Sequence, residues 1–225
     1  MPKSFLICQF IMDKLLDPLI LLPMLGLAWS RIRGGFARPP WINMFAVVMA
    51  YDLLQCICFT AMAFRGLNNQ WFRHLFDPLG YLGVLWILFL TRPGSKRRRR
   101  YYLFAGVAGV VAAVVGFSLN TMRFRNALFT TVMSLVLLVL CTFELRKMLI
   151  QDDETPLERQ PAFWLYTGFL ILGSGSLIFN AISNHFLRIL PTSLILIPWL
   201  VMACVYSIHY AFLAKAFLCR NPISS

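Results

Sequence analysis

Long apolar runs separated by short polar segments fill almost the whole of this chain. Three of the runs, Tyr101 to Met122, Gln160 to Asn184 and Ile189 to Ile208, contain no Asp, Glu, Lys or Arg. At about 1.5 Å per residue, each is long enough to cross a hydrocarbon core of about 30 Å as a helix. None shows the strict apolar–polar alternation of a barrel strand, and in lipid an open strand leaves its backbone groups unpaired. The pattern therefore predicts an all-α, polytopic integral membrane protein. Seven spans are expected, near 15–31, 42–64, 71–91, 101–119, 126–148, 162–183 and 192–214, forming a single seven-transmembrane helical bundle over 1–225. Asp13, Lys14 and Asp17 interrupt the approach to the first span. Residues 1–14 read equally as an extension of that helix or as an interfacial segment. A short apolar stretch followed by acidic residues, with no small-residue cleavage site, is not the pattern of a signal peptide.

Composition agrees with this reading. Hydrophobic residues make up 59% of the chain and charged residues 13%, and the mean hydropathy is +0.71, which leaves no room for a soluble domain of useful size. The net charge of +12 is unevenly placed. With the N-terminus outside, fourteen of the 21 Lys and Arg fall on the cytoplasmic side, so positive-inside bias predicts N-out/C-in threading. The lipid bilayer itself is then the first partner, with anionic headgroups at the cytoplasmic face. A cell membrane is the expected location.

The densest charge run, Lys96-Arg97-Arg98-Arg99-Arg100, lies between the third and fourth spans. It reads as a topogenic anchor against anionic lipid, or as a docking surface for a cytoplasmic signalling partner. A nucleic-acid partner is disfavoured, because no recognition module surrounds the run, and Tyr101 and Tyr102 fit an interfacial aromatic belt. The segment from Ile150 to Pro161 carries Asp152, Asp153, Glu154 and Glu158 without the spacing of a calcium loop, and reads as solvated loop. Of the six cysteines, four fall inside spans, where thiols act as small hydrophobes. Neither a disulfide framework nor a metal site is expected, and no cofactor motif is legible.

Polar residues within spans are informative because burying them is costly. Asp52 falls near the middle of the second span, His209 within the seventh and Glu144 near the inner end of the fifth. Asp52 and His209 are weak catalytic candidates, able to pair across helices with Tyr51, Tyr206 and Tyr210 as neighbours; a satisfied structural pair is the plainer reading. A second cluster gathers toward the outer ends: Arg73, His74 and Asp77, then Asn120 and Arg123, then Asn180, Asn184 and His185. Guanidinium, imidazole and amide groups converging at one end of a bundle suit a small anionic ligand or a lipid headgroup, and this set is the expected ligand site. Helix capping explains the same residues without a ligand.

Small residues recur every four positions at Ala105, Gly109 and Ala113, and at Ala112 and Gly116; Gly173-Ser174-Gly175-Ser176 lies in the sixth span. Such faces predict close helix crossings and are compatible with a homo-oligomer. Asp17-Pro18 and Asp77-Pro78 open two spans sixty residues apart and read as helix-start capping or as a faint parallel repeat of the kind small transporters carry.

The second half carries Pro161-Ala162-Phe163-Trp164, Gly168, Ser174-Gly175-x-Leu177 and Asn184. Together with Trp71-x-x-His74 and the Asn120…Arg123/Arg125 stretch, this resembles a family of seven-span membrane proteins of about this length from Bacteroidetes-type bacterial genomes. The resemblance covers Trp71 to Asn184. It departs in the seventh span, where Trp199-Leu200-Val201-Met202 lacks an expected His, and early in the fifth, where an expected acidic residue is missing. It implies the fold and, more weakly, a sensory or signalling role. Three function classes stay open: a non-enzymatic sensor or receptor-like subunit with an outer polar pocket and a basic inner face; a small transporter or channel subunit; and an intramembrane lipid-active enzyme.

Overall fold

The computed structural model describes residues 23–26, 40–65, 67, 70–92, 94–119, 126–150, 155–189 and 192–219. Within these, six long α-helices follow one another: α1 (Pro40–Phe64), α2 (Gln70–Thr91), α3 (Lys96–Leu119), α4 (Ala127–Ile150), α5 (Pro161–Ile189) and α6 (Thr192–Leu218). A 3₁₀ turn, Leu157–Arg159, precedes α5, and no strand occurs among the described residues. All six helices are long and apolar enough to cross a membrane. The protein is thus a helical, integral-membrane-type bundle. Of the first expected span, residues 23–26 are described and are helical; the rest of it, and the Asp17-Pro18 pair, lie outside the described residues.

Each helix packs antiparallel on the next, as short connections require. The pairs Tyr51/Phe76 and Phe59/Phe72 mark α1 against α2, Tyr81/Ala105 marks α2 against α3, and Ser134/Ser176 with Thr130/Asn180 marks α4 against α5. Gly168/His209 marks α5 against α6. The most extensive contacts are those of α5 with α4 and with α6. Glycine explains both. A methyl at Gly173 would press on the Ser134 carbonyl oxygen and Leu138 nitrogen of α4, and one at Gly175 would press on Val205 of α6. The Gly-Ser-Gly-Ser stretch is therefore a two-sided close crossing.

The small-residue face of α3 does related work. The Tyr81 ring lies directly over Gly109, and its hydroxyl donates to the Ala105 carbonyl at 3.0 Å. Asn126 sits on Gly116 and donates to the Ala113 carbonyl at 3.1 Å, while its own Oδ1 accepts from Phe129 N, so one side chain caps α4 and ties it to α3. Outward positions of α3, such as Phe104, Val107 and Val114, are exposed, as a lipid-facing surface should be.

Two expectations change. The basic run forms the first turns of α3, which begins at Lys96, five residues before the expected span. Positive side chains at a helix N-terminus oppose the helix dipole. The opposition is overcome because Ser95 Oγ accepts from Arg98 N and because Arg98 turns inward to a set of buried acceptors. Likewise Asp77-Pro78 does not open its helix: α2 starts at Gln70, and Pro78 lies inside it. Proline lacks the amide hydrogen that would bond the carbonyl four residues back, so α2 is locally interrupted there. Pro198 places a similar interruption in α6.

The tightest core lies toward the end of the bundle that carries Lys96. Phe45, Ile87, Leu88, Leu137, Cys141, Met148, Leu165, Tyr166, Leu213 and Ala216 are all essentially inaccessible there. Phe217 meets Trp41 and Phe45 at ring-centroid distances of 5.9 and 4.7 Å, joining α6 to α1. Trp164 of the Pro-Ala-Phe-Trp segment donates to the Glu158 carbonyl at 2.7 Å and stacks on Phe212, which fixes the 3₁₀ turn to the ends of α5 and α6. Just beyond α6, burial pushes the Cys219 thiol above its ordinary range.

Candidate functional site

Above this packed base the helices separate around a cavity of about 270 Å³. One wall comes from α1, where Phe45, Val48, Met49, Asp52, Gln55 and Phe59 recur at three- and four-residue steps and so share a face. The next comes from α2, through Arg73, Asp77, Gly80, Tyr81 and Val84, again at helical spacing. Thr130, Met133 and Leu137 of α4, Phe169 and Leu172 of α5, and Tyr206, His209, Tyr210 and Leu213 of α6 close it. The lining is mostly apolar and aromatic, with a few converging polar groups, which is the usual make-up of a small-molecule site.

The polar groups are held in different ways. Gln55 Nε2 donates to Asp77 Oδ1 at 2.8 Å, a contact between α1 and α2. Tyr51 donates to the Phe76 carbonyl at 2.7 Å, beside the proline interruption. The Arg73 guanidinium lies 4.6 Å from the centre of the Phe59 ring and forms no ion pair with a described carboxylate. The His209 Nδ1 is 2.9 Å from the Gly168 carbonyl and must donate to it, since that oxygen can only accept. The imidazole is thereby turned toward α5, and the expected Asp52–His209 pair does not form, although both residues line the same cavity. Asp52 makes no hydrogen bond or ion pair with another described residue. Its carboxylate faces Gly80, where a β-carbon would stand 3.8 Å from Oδ1.

The outer set expected from sequence is divided. Arg73 and Asp77 line the cavity. His74, one position on, faces α3, its ring edge-on to Phe117 at 5.6 Å. Asn180 is buried between α4 and α5, donating to Ser134 Oγ at 2.9 Å and to the Thr130 carbonyl at 3.3 Å, and Ser134 is in turn bonded to Ser176. Asn184 and His185 belong to the last turns of α5, and Asn120 and Arg123 lie outside the described residues. Gln55 and Thr130 are lining residues that the sequence reading missed. Gln55 stands three positions after Asp52, a spacing that places both on one helix face.

The basic run is divided as well. Lys96, Arg97, Arg99 and Arg100 are exposed, with Arg97 Nε donating to Tyr101 Oη at 2.7 Å. Arg98 is buried. Its Nε donates to Glu144 Oε1 at 2.8 Å, its two terminal nitrogens to the Phe89 and Leu88 carbonyls at 3.0 and 2.9 Å, and one of them also to Tyr166 Oη at 3.1 Å. One guanidinium thus caps the end of α2 and joins it to α3, α4 and α5. Among the described residues no group of three or more His, Cys, Asp or Glu is placed to hold a metal. A scan against family models and searches among curated proteins and solved structures return no match to this chain.

Proposed function

We propose that this protein is a receptor-like membrane subunit that binds a small molecule inside its helical bundle. The observation that carries the proposal is the cavity, lined by five helices, in which Asp52, Gln55, Arg73, Asp77 and Tyr206 converge on an otherwise apolar wall. These are recognition groups. With His209 donating to Gly168 rather than pairing with Asp52, the cavity's own imidazole is turned away from its carboxylates, which weighs against the lipid-enzyme reading. We read the threading as seven spans, N-out/C-in, in a bacterial cytoplasmic membrane. This follows the charge bias and the likeness to Bacteroidetes-type seven-span proteins. The exposed Lys96, Arg97, Arg99 and Arg100 then face anionic headgroups or a cytoplasmic signalling partner.

The test is a thermal-shift screen of purified protein against soluble amines, carboxylates, amino acids, sugars and nucleosides. It is run beside Leu172→Trp, which fills the cavity from α5. At least one compound is expected to stabilise the wild type and not the filled variant. The reading fails when nothing stabilises the wild type, or when Leu172→Trp responds equally. A carrier or channel subunit is the second reading, favoured by an Asp52 carboxylate in the middle of a span with no hydrogen-bond or ion-pair partner among the described residues. Uptake of the identified compound into proteoliposomes separates the two, since a receptor accumulates none.

A further inference from the structure

Of the charged residues expected at the outer ends, Arg73 and Asp77 enter the cavity, where Asp52 joins them. His74 leaves for the α3 seam, and Asn180 is engaged between α4 and α5. Asp52 and Asp77 both line the cavity, against one guanidinium. With the imidazole of His209 neutral, the lining residues carry a formal charge of −1. The two carboxylates are not equivalent. Asp77 already accepts from Gln55, whereas Asp52 has no hydrogen-bond or ion-pair partner among the described residues and faces the gap left by Gly80. Asp52 is half-buried, and a carboxylate short of both water and an ion-pair partner among the described residues is unfavourably placed, so a cation entering the cavity would compensate it.

The walls decide which cation. A calcium-like ion takes six to eight oxygen ligands, and ring faces and aliphatic side chains do not replace the hydration shell it gives up. Here Phe45, Phe59, Phe169, Tyr206 and Tyr210 line the same cavity as the carboxylates. Aromatic faces attract organic cations, and the apolar surface buries the carbon frame such a cation carries. The Arg73 guanidinium already over the Phe59 ring shows the same pairing within the chain. We infer that the cavity binds a small organic amine, its ammonium on Asp52 and its carbon frame against the aromatic wall. This rests on the intrabundle site proposed above and assigns its ligand class.

The experiment compares three probes of one shape on the purified protein: phenethylamine, 2-phenylethanol and 3-phenylpropionate. The readout is the thermal unfolding midpoint over a concentration series. At saturation the amine is expected to raise the wild-type midpoint by ~5–10 °C, the other two having little effect. Asp52→Asn is expected to weaken amine binding ~10–100-fold, the loss typical of one charge-assisted hydrogen bond, while Asp52→Glu retains most of it. Should Asp52→Asn fail to fold, Gly80→Val places methyl groups over the same carboxylate and should reduce binding likewise. Equal amine binding in wild type and Asp52→Asn overturns the inference. If the alcohol or the carboxylate stabilises the protein instead, and Leu172→Trp abolishes the shift, the binding site stands and the amine class falls. If none of the three probes shifts the wild type, the amine assignment falls; the broader screen then decides the site itself.

Discussion

Removing Glu144 should be among the most damaging single substitutions in this protein, because it strands Arg98. Both side chains are only 6% exposed, and their contact is 2.8 Å. Breaking one partner of a buried ion pair typically costs ~3–5 kcal/mol, since the other charge is left without compensation. In Glu144→Ala the guanidinium keeps the Leu88 and Phe89 carbonyls and the Tyr166 hydroxyl, which oppose part of that loss. The lower end, ~3 kcal/mol, is therefore expected, or ~6–12 °C in unfolding midpoint for a chain of this size. Glu144→Gln preserves an acceptor for Arg98 Nε and should cost about half as much.

Arg98→Met is the complementary case. It leaves Glu144 beside Lys147 at 3.9 Å, but Lys147 is half-exposed and its pairing weak. The Phe89 carbonyl also loses its guanidinium donor. The double variant Arg98→Met/Glu144→Leu strands no charge and fills similar volume, so it should cost well below the sum of the two single changes. The coupling from a double-mutant cycle is expected at ~2–3 kcal/mol. Equilibrium unfolding in mixed micelles measures Glu144→Ala and Glu144→Gln together with the members of the cycle, Arg98→Met, Glu144→Leu and the double variant. Additive losses, or a Glu144→Ala cost under ~1 kcal/mol, would refute the claim that this pair holds the base of the bundle.

Gly109→Ala should destabilise the protein by ~1–3 kcal/mol, because the new methyl displaces the Tyr81 ring and weakens its bond to Ala105; the same substitution in a Tyr81→Ala background should be nearly silent in the same unfolding assay. Single cysteines introduced at Arg97 or Arg100, in a background lacking native cysteines, should resist an impermeant thiol reagent in intact cells and react after permeabilisation. Rapid labelling of intact cells reverses the threading.

Six of the seven expected spans correspond to helices, with start positions agreeing within two residues except at α3. That much was legible because hydropathy over twenty residues reports on the bilayer, and the bilayer dominates. The beginning of α3 was not legible, because the run of arginines reads as an inter-span anchor against lipid until Glu144, distant in sequence, is known to lie opposite Arg98. Asp77-Pro78 misled for a local reason: the pair is a good helix opener, and here tertiary packing carries the helix through it. In the candidate site, Asp52 and His209 were recognisable as costly intramembrane groups, and Arg73 and Asp77 as members of an outer polar set. Their grouping was not, since it depends on helix rotation. Rotation sends residue 73 into the cavity and residue 74 toward α3, adjacent positions on one turn.

The intramembrane polar groups sort into two kinds. Arg98 with Glu144, Asn180 with Ser134, and Asn126 with Ala113 are direct hydrogen-bonded contacts, and each lies on a seam between α3, α4 and α5. Arg98 extends the first of these to α2 through the Leu88 and Phe89 carbonyls. These four helices are therefore cross-tied by directional bonds that specify one arrangement in lipid, where apolar contact alone discriminates little. Helices α1 and α6 meet at the base, where Phe217 packs on Trp41 and Phe45. Farther from that base, α1 brings Asp52 and Gln55 to the cavity, and α6 brings Tyr206 and Tyr210. The cavity's polar lining is thus shared: Asp52, Gln55, Tyr206 and Tyr210 come from α1 and α6, which join the network through Gln55–Asp77 and His209–Gly168, and Arg73 and Asp77 come from α2. A cation bridging Asp52 and the tyrosine faces of α6 would supply across the cavity the kind of polar tie that α3, α4 and α5 already share.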